Sequence, residues 1–269
     1  MLRNLPVITK NILILNILMF VMMMILDPNG NTIYNALSAH YFTSVYFEPY
    51  QIITHMFMHS LSDPFHIFFN MFLLVMFGAH LERVWGPKRF FIFYIASGIG
   101  AFLLYNSIGV WKLMELREVL AGAGNEIGNI HNYILEGKLS PYLSGEKFIS
   151  NTQDLITSGK LTPETLTDHI QVLYDYTGYN FSSMVGASGA IFGLLAGFAM
   201  LFPNTQLMLL FPPIPIKAKY LIGGYILYEV YNSFMAVNDQ IAHLAHVGGA
   251  IVGIIFILVW RRRDRNNFW

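Results

Sequence analysis

Four polar side chains in otherwise apolar stretches of this sequence could together perform acyl transfer. They are Ser188, His246, His66 and Asn70. A serine hydroxyl becomes a nucleophile when a histidine accepts its proton. The oxyanion that follows needs preorganised donors, and the Asn70 amide, the His66 imidazole and the Ser188 backbone N–H are suitable groups. His66 and Asn70 are four residues apart, so they share one face if this stretch is helical.

Glycines at helical spacing accompany the serine and the histidine. Gly189 and Gly193 follow Ser188, and Gly249 and Gly253 follow His246. Small residues spaced by four let two helix backbones approach closely. We therefore expect these two helices to dock on each other, with Ser188 and His246 at one end of the contact.

The composition indicates what kind of structure must position these groups. Of the 269 residues, 55% are hydrophobic and 12% are charged, whereas soluble domains carry about 25% charged residues. We therefore expect an all-α protein that crosses a membrane several times. The formal net charge is zero, so no nucleic-acid partner is expected. The absence of cysteine excludes disulfides and thiolate metal ligands.

Six apolar segments are predicted to span the bilayer as helices, because lipid offers no partner for backbone polar groups. They lie at about 11–26, 64–82, 89–106, 187–202, 216–235 and 240–260. The first is predicted to be a retained span, since no small-residue cleavage site follows it. Residues 107–183 form a long insertion between spans three and four.

Basic residues predict the orientation, because Lys and Arg concentrate in cytoplasmic loops. With a cytoplasmic N-terminus, 11 of the 16 Lys and Arg residues lie inside. These residues are Arg3, Lys10, Arg83, Lys88, Arg89, Lys217, Lys219, Arg261, Arg262, Arg263 and Arg265. The remaining five lie in the insertion, where basic residues influence topology little. Both termini are therefore predicted to be cytoplasmic and the insertion to be outside.

This topology places the polar groups of spans two, four and six at a similar depth, roughly 5–12 Å below the outer helix ends. Polar side chains inside a membrane are costly unless they face a cavity or one another. The economical interpretation is one water-accessible site that opens outward. Glu229, the only acidic residue inside spans four to six, is expected to lie deeper and is assigned no catalytic role.

Each of these features also has a simpler interpretation. A serine in a membrane helix often only bonds a backbone carbonyl, and a glycine-rich face is often only a packing surface. His55, His59 and His66 could be metal ligands or interfacial histidines, and His243 could face loops or headgroups. Glu82 beside Arg83 is interpreted as a structural ion pair or a helix cap.

Taken together, the motifs resemble the signature regions of the rhomboid intramembrane serine proteases. They are HIFFN at 66–70, GASGAIFG at 186–193 and AHVGGAIVG at 245–253. Two further stretches, HMFMHS at 55–60 and LERVWGPKRFFIFY at 81–94, are similar to segments that flank span two in bacterial members. The resemblance covers nearly all six spans in order.

The resemblance implies a six-helix rhomboid-like bundle, a single domain over 1–269, that acts as a serine endopeptidase. It implies Ser188 as nucleophile and His246 as general base, with Asn70, His66 and the Ser188 amide as the oxyanion hole. The implied partners are transmembrane protein substrates within the lipid bilayer, cleaved in or near their membrane segments, with lateral access gated by span five. No metal or cofactor is implied.

The resemblance also implies a multi-pass protein of the cytoplasmic (inner) membrane of a bacterial-type cell, with its active site opening to the outer side. Two departures are notable. Phe192 stands where many bacterial members have a tyrosine that stacks on the histidine, and the insertion is longer than in compact members. The oligomeric state and the substrate are left open.

Two other functions remain as alternatives. A non-catalytic rhomboid-like protein would bind membrane helices without cleaving them. A histidine-dependent metal or proton transporter would need polar groups across the whole bilayer. The sequence instead clusters them toward one face.

Overall fold

The computed structural model describes residues 4–29, 32–208, 213–235 and 240–263. Helices account for most of these residues. The α-helices are, in chain order, α1 (Val7–Leu26), α2 (Ile33–Leu37), α3 (Gln51–Thr54), α4 (Pro64–Leu73), α5 (Ala79–Gly122), α6 (Ile127–Leu135), α7 (Gly145–Thr157), α8 (Glu164–Thr167), α9 (Ile170–Phe181), α10 (Ser188–Leu201), α11 (Ala218–Met235) and α12 (Gln240–Arg263). A 3₁₀ turn follows α3 at His55–Phe57, and a π-helical turn joins α4 to α5 at Leu74–Gly78. The short strands are β1 (Ala39–His40), β2 (Ser183–Met184), β3 (Gln206–Met208) and β4 (Pro215–Lys217).

The chain divides into two compact units. The first comprises Met1–Ala39, Tyr50–Tyr105 and Met184–Trp269, and the second comprises His40–Pro49 and Asn106–Ser183. All the candidate site residues belong to the first unit. That residues 1–269 form a single rhomboid domain stays a prediction.

Several of the helices are apolar, in agreement with a membrane protein. By length and composition, three helical stretches of the described chain could cross a bilayer: Val7–Leu26, Pro64–Gly122 and His243–Arg262. The second of these contains predicted spans two and three and is interrupted at Gly86, whose φ of 78° breaks the helical path. The helix that starts at Ser188 is shorter, with 14 residues. Six crossings and cytoplasmic termini therefore stay predictions.

The structure differs from the predicted element boundaries in two places. Span three was expected to end at residue 106, but α5 continues to Gly122, because the residues that follow are good helix formers although no longer uniformly apolar. Residues 216 and 217 belong to β4 rather than to span five. β4 pairs with β3 in an antiparallel register that places Gln206 opposite Lys217, so the all-α prediction omits a small hairpin.

The insertion is itself folded, within the second unit. α6, α7 and α9 bury apolar side chains that include Ile130, Phe148 and Leu173. A polar contact accompanies them: Asn125 accepts hydrogen bonds through Oδ1 from Thr162 and Thr165. A packed set of helices, rather than an extended loop, therefore occupies this part of the sequence.

The start of α1 is held by a buried carboxylate from another helix. Glu82, 3% exposed, accepts hydrogen bonds from the backbone N–H groups of Ile8 and Thr9, at 2.9 and 2.7 Å, and from the Thr9 hydroxyl at 2.7 Å. The first N–H groups of a helix lack partners within it, and negative charge is favourable there. Glu82 is therefore a helix cap, as one of the two sequence interpretations proposed.

α10 and α12 touch through their backbones at four glycines, Gly189, Gly193, Gly249 and Gly253, which we name the glycine seam. A Cβ added to Gly249 would lie 1.8 Å from the carbonyl oxygen of Gly189, and one added to Gly253 would lie 2.7 Å from that of Gly193. No side chain fits in these gaps. The seam therefore determines how closely the helices that carry Ser188 and His246 can approach.

Replacing Glu82 with Ala is expected to destabilise the protein by about 2–4 kcal/mol, because two backbone N–H groups and one hydroxyl lose their acceptor. Glu82→Gln should cost less, since its amide oxygen still accepts hydrogen bonds. The measurement is thermal unfolding in detergent micelles. Glu115→Ala, at a half-exposed carboxylate paired with Lys112, is the control and should leave the melting temperature nearly unchanged.

Gly249→Ala is expected to lower the melting temperature strongly, because its methyl group would overlap the Gly189 carbonyl. Gly223→Ala is the matched control: its Cβ would meet nothing within 4 Å, and alanine stabilises a helix interior by about 1 kcal/mol relative to glycine. Equal melting temperatures for the two variants would contradict the close approach at the seam.

Candidate active site

The loop before α10 orients Ser188, the candidate nucleophile. The backbone N–H of Gly186 donates to the His55 carbonyl at 2.9 Å, which holds the loop in place. Gly186 has φ +122°, and a Cβ there would lie 2.8 Å from Nε2 of His66 and 3.6 Å from Oγ of Ser188. Only glycine fits this conformation and this space. The His66 imidazole and the Ser188 hydroxyl therefore both lie close to this glycine.

Ser188 and His246 meet at the top of the glycine seam. Oγ of Ser188 is 2.9 Å from Nε2 of His246, which is hydrogen-bond distance. Phe192, one turn after Ser188, stacks on the imidazole with the ring centroids 4.3 Å apart and the planes 12° from parallel. The phenyl ring thus takes the stacking position that the resemblance implied for a tyrosine, without a hydroxyl.

The expectation that Glu229 lies apart from this site is wrong. Its Oε2 is 2.9 Å from Nδ1 of His246 and 2.6 Å from Nδ1 of His243. The carboxylate is 3% exposed. α11 packs on α12, and this contact brings Glu229 to the level of the histidines. His243 accordingly faces the site rather than loops or headgroups.

His66 and Asn70 lie on one face of α4, as their spacing predicted. Asp63 caps this helix by accepting from the Phe65 N–H at 3.0 Å, with Pro64 at the first helical position. Asn70 is buried, and its Nδ2 donates to the His66 carbonyl at 2.9 Å. An amide has two N–H donors, so this bond uses one of them. The role of either residue as an oxyanion donor stays a prediction.

Comparison with known families decides what kind of protein this is. A family model described as the rhomboid domain matches residues 46–124 and 164–263, more than half of the chain. The chain belongs to the rhomboid family. The unmatched residues 125–163 lie within the long insertion of this rhomboid. A search of curated proteins finds no match to its sequence.

Two histidines between α2 and α4 of this rhomboid are deeply buried, outside the apolar segments. Burial lowers the pKa of His55 to about 4, although its bond to the Gln51 carbonyl, 2.7 Å from Nδ1, opposes the shift. Burial, and then the charge of a protonated His66, lowers the pKa of His59 to about 3. The His59 and His66 rings are 5.1 Å apart. Both His55 and His59 are therefore neutral at pH 7.

One group of side chains in the described part of the chain has the geometry to hold a metal ion. The ligand atoms of Glu229, His243 and His246 all lie within 4.8 Å of one another. Two imidazole nitrogens and a carboxylate oxygen are common zinc ligands. This set differs from the His55, His59 and His66 set that the sequence raised.

Sequence reasoning assigned no catalytic role to three residues of this site: Glu229, His243 and Gly186. Glu229 carried a usable signal, because an ionisable residue inside a membrane helix is by default a functional candidate. His243 is three residues before His246 and so shares its helix face. Gly186 belongs to the GASG motif, and the positive φ that requires glycine there is a feature of the folded loop.

Buried neutral histidines predict acid sensitivity. The pKa values of His55 and His59 are lower in the folded protein than the ordinary value of about 6.5, so their stabilisation is complete above pH 6.5 and is lost as the pH falls toward 4 and 3. Within this pH range, each histidine lowers the free energy of unfolding by about 1.4 kcal/mol for every pH unit of acidification. We expect the melting temperature to drop between pH 7 and pH 5, and the drop to be smaller in His59→Phe. An equal drop in both proteins would contradict the burial of an uncharged His59.

Proposed function

We propose that this rhomboid is an intramembrane serine protease that hydrolyses peptide bonds in or near the transmembrane segments of membrane proteins. The observation that carries the proposal is the 2.9 Å contact between Ser188 Oγ and His246 Nε2. A nucleophile and a general base within hydrogen-bond distance are the minimum requirement for covalent acyl transfer. Family membership supports the same function, since rhomboids are usually intramembrane serine proteases.

In the first step, Ser188 Oγ bonds to the scissile carbonyl carbon while its proton passes to Nε2 of His246. The carbonyl electron pair moves to oxygen, which becomes an oxyanion. The Ser188 backbone N–H belongs to the first turn of α10, where such groups lack partners within the helix and favour negative charge. Together with donors on His66 and Asn70, it would stabilise the oxyanion.

In the second step, the C–N bond breaks and the leaving amine takes the proton from Nε2 of His246, which leaves an acyl-enzyme on Ser188. A water molecule then attacks the ester, with His246 accepting one proton, and the Ser188 oxygen leaves with that proton. The products are a carboxylic acid and an amine, so the reaction consumes one water and needs no cofactor. The stacked Phe192 ring keeps the imidazole in one orientation throughout.

The membrane setting completes the proposal. We place the protein in the cytoplasmic membrane with the site open to the outer side, where water can reach it. Apolar side chains on α11 that are largely exposed, such as Leu227, Tyr231 and Phe234, suit contact with lipid or with a substrate helix. The substrates are therefore transmembrane proteins presented from the bilayer.

The test is cleavage of a transmembrane reporter by the purified protein in liposomes. Ser188→Ala and His246→Ala are each expected to reduce kcat by at least about 10³-fold, because each removes a bonding or proton-accepting atom of the reaction. A fluorophosphonate should label the wild type at Ser188 and fail to label Ser188→Ala.

Gly128→Ala, on α6 of the insertion, provides the control, since the added Cβ would meet nothing within 4 Å and cleavage should continue. Cleavage that persists in Ser188→Ala would refute the nucleophile. A folded wild type that binds the reporter but neither cleaves it nor reacts with the probe would instead be a non-catalytic rhomboid.

A further inference from the structure

We propose that Glu229 is the third member of a Ser188–His246–Glu229 relay, a positioning residue that orients the catalytic imidazole. The inference rests on the proposed protease function. It is carried by one chain of contacts: Ser188 Oγ to His246 Nε2 at 2.9 Å, then His246 Nδ1 to Glu229 Oε2 at 2.9 Å. The three residues come from three different helices, α10, α12 and α11.

The carboxylate determines which nitrogen of His246 carries the proton. An ionised carboxylate can only accept hydrogen bonds, so Nδ1 of His246 must be the donor in its contact with Glu229. A neutral imidazole has one N–H, which leaves Nε2 as an acceptor. Nε2 is the atom that faces the Ser188 hydroxyl, so Glu229 selects the tautomer in which His246 can act as a base.

A second histidine holds the carboxylate in place. Nδ1 of His243 lies 2.6 Å from the same Oε2 atom, so two imidazoles donate to one oxygen. Burying a charge is expensive unless it is paired and hydrogen-bonded. These donors make a buried carboxylate tolerable next to the base.

Proton transfer is the step that benefits. In the proposed relay, His246 acts as a base and therefore faces the Glu229 carboxylate as a neutral imidazole before attack. When Nε2 of His246 accepts the Ser188 proton, the imidazolium faces Glu229 at 2.9 Å, and opposite charges then adjoin in a site of low dielectric. This attraction exists after proton transfer and is absent before it, so it lowers the barrier rather than only improving substrate binding.

The same three groups, Glu229, His243 and His246, have the spacing of a metal site, and the two interpretations make opposite predictions. A metal bound at Nδ1 of His246 would displace the N–H that the relay needs. In the relay, cleavage needs no metal and should persist after dialysis against a chelator. In the metal interpretation, cleavage should be lost and return with zinc.

The principal variants are Glu229→Gln and Glu229→Asp, assayed for cleavage of the transmembrane reporter in liposomes. Glu229→Gln keeps the shape but can present its amide N–H to Nδ1 and so favour the wrong tautomer. We expect kcat to fall by ~10²–10⁴-fold with KM nearly unchanged, as in other serine proteases that lose this carboxylate. Glu229→Asp should recover part of the activity, and His243→Asn should cost roughly tenfold.

A spectroscopic readout separates orientation from general stability. With 15N-labelled histidine, the Nδ1–H proton of His246 bonded to a carboxylate should give a downfield NMR signal. The signal should be present in wild type and in Ser188→Ala, and absent in Glu229→Gln. Glu82→Gln is the matched control, because it alters another buried, hydrogen-bonded glutamate and should keep both the signal and kcat.

The outcomes distinguish this inference from the proposed function. If wild type cleaves the reporter and a folded Glu229→Gln has the same kcat, the relay is refuted while the Ser188–His246 protease stands. Cleavage that depends on a metal would also refute it. If wild type neither cleaves nor reacts with a fluorophosphonate, the proposed function itself fails.

Discussion

The approach of two helix backbones at the glycine seam is the constraint on which the site depends. Without side chains between them, α10 and α12 lie close enough for the carbonyl of Gly189 to occupy the space where a Cβ of Gly249 would be. Ser188 precedes Gly189 by one residue, and His246 precedes Gly249 by three. A small separation of the helices would therefore move the hydroxyl and the imidazole out of hydrogen-bond distance.

Other contacts determine orientation rather than separation. α5 packs against the same region, where a Cβ on Gly193 would lie 2.2 Å from the Ser97 hydroxyl oxygen. Gly186 lets the loop before α10 turn beside His66, and the ring of Phe192 covers one face of the His246 imidazole. Glu229 contacts its remaining nitrogen. The imidazole is thus restrained on its face and at both nitrogens, which is the preorganisation that proton transfer requires.

The distribution of charge is consistent with this arrangement. Two of the buried carboxylates in the first unit have different roles. Glu82 caps the start of α1, and Glu229 accepts hydrogen bonds from two histidines. Neither has a Lys or Arg among these partners. Hydrogen-bond donors, not opposite formal charges, therefore satisfy them, as is expected where an unpaired charge would be costly.

Local patterns were sufficient to determine much of this protein. Apolar runs predicted the helices, because a helix satisfies its backbone within the segment whatever surrounds it. The i,i+4 spacing placed His66 and Asn70 on one face, and the glycine spacing singled out the faces of α10 and α12 that touch.

What such patterns cannot supply is the rotation and depth of one helix against another. That information decided the position of Glu229, which is 17 residues from His246 in the chain and lies on a different helix. It also decided the continuation of α5 past residue 106 and the β3–β4 hairpin, because both depend on contacts or on helix propensity that hydropathy does not report. The sequence alone therefore determined which groups are candidates for the chemistry, and only the packing of α11 against α12 decided which carboxylate contacts His246.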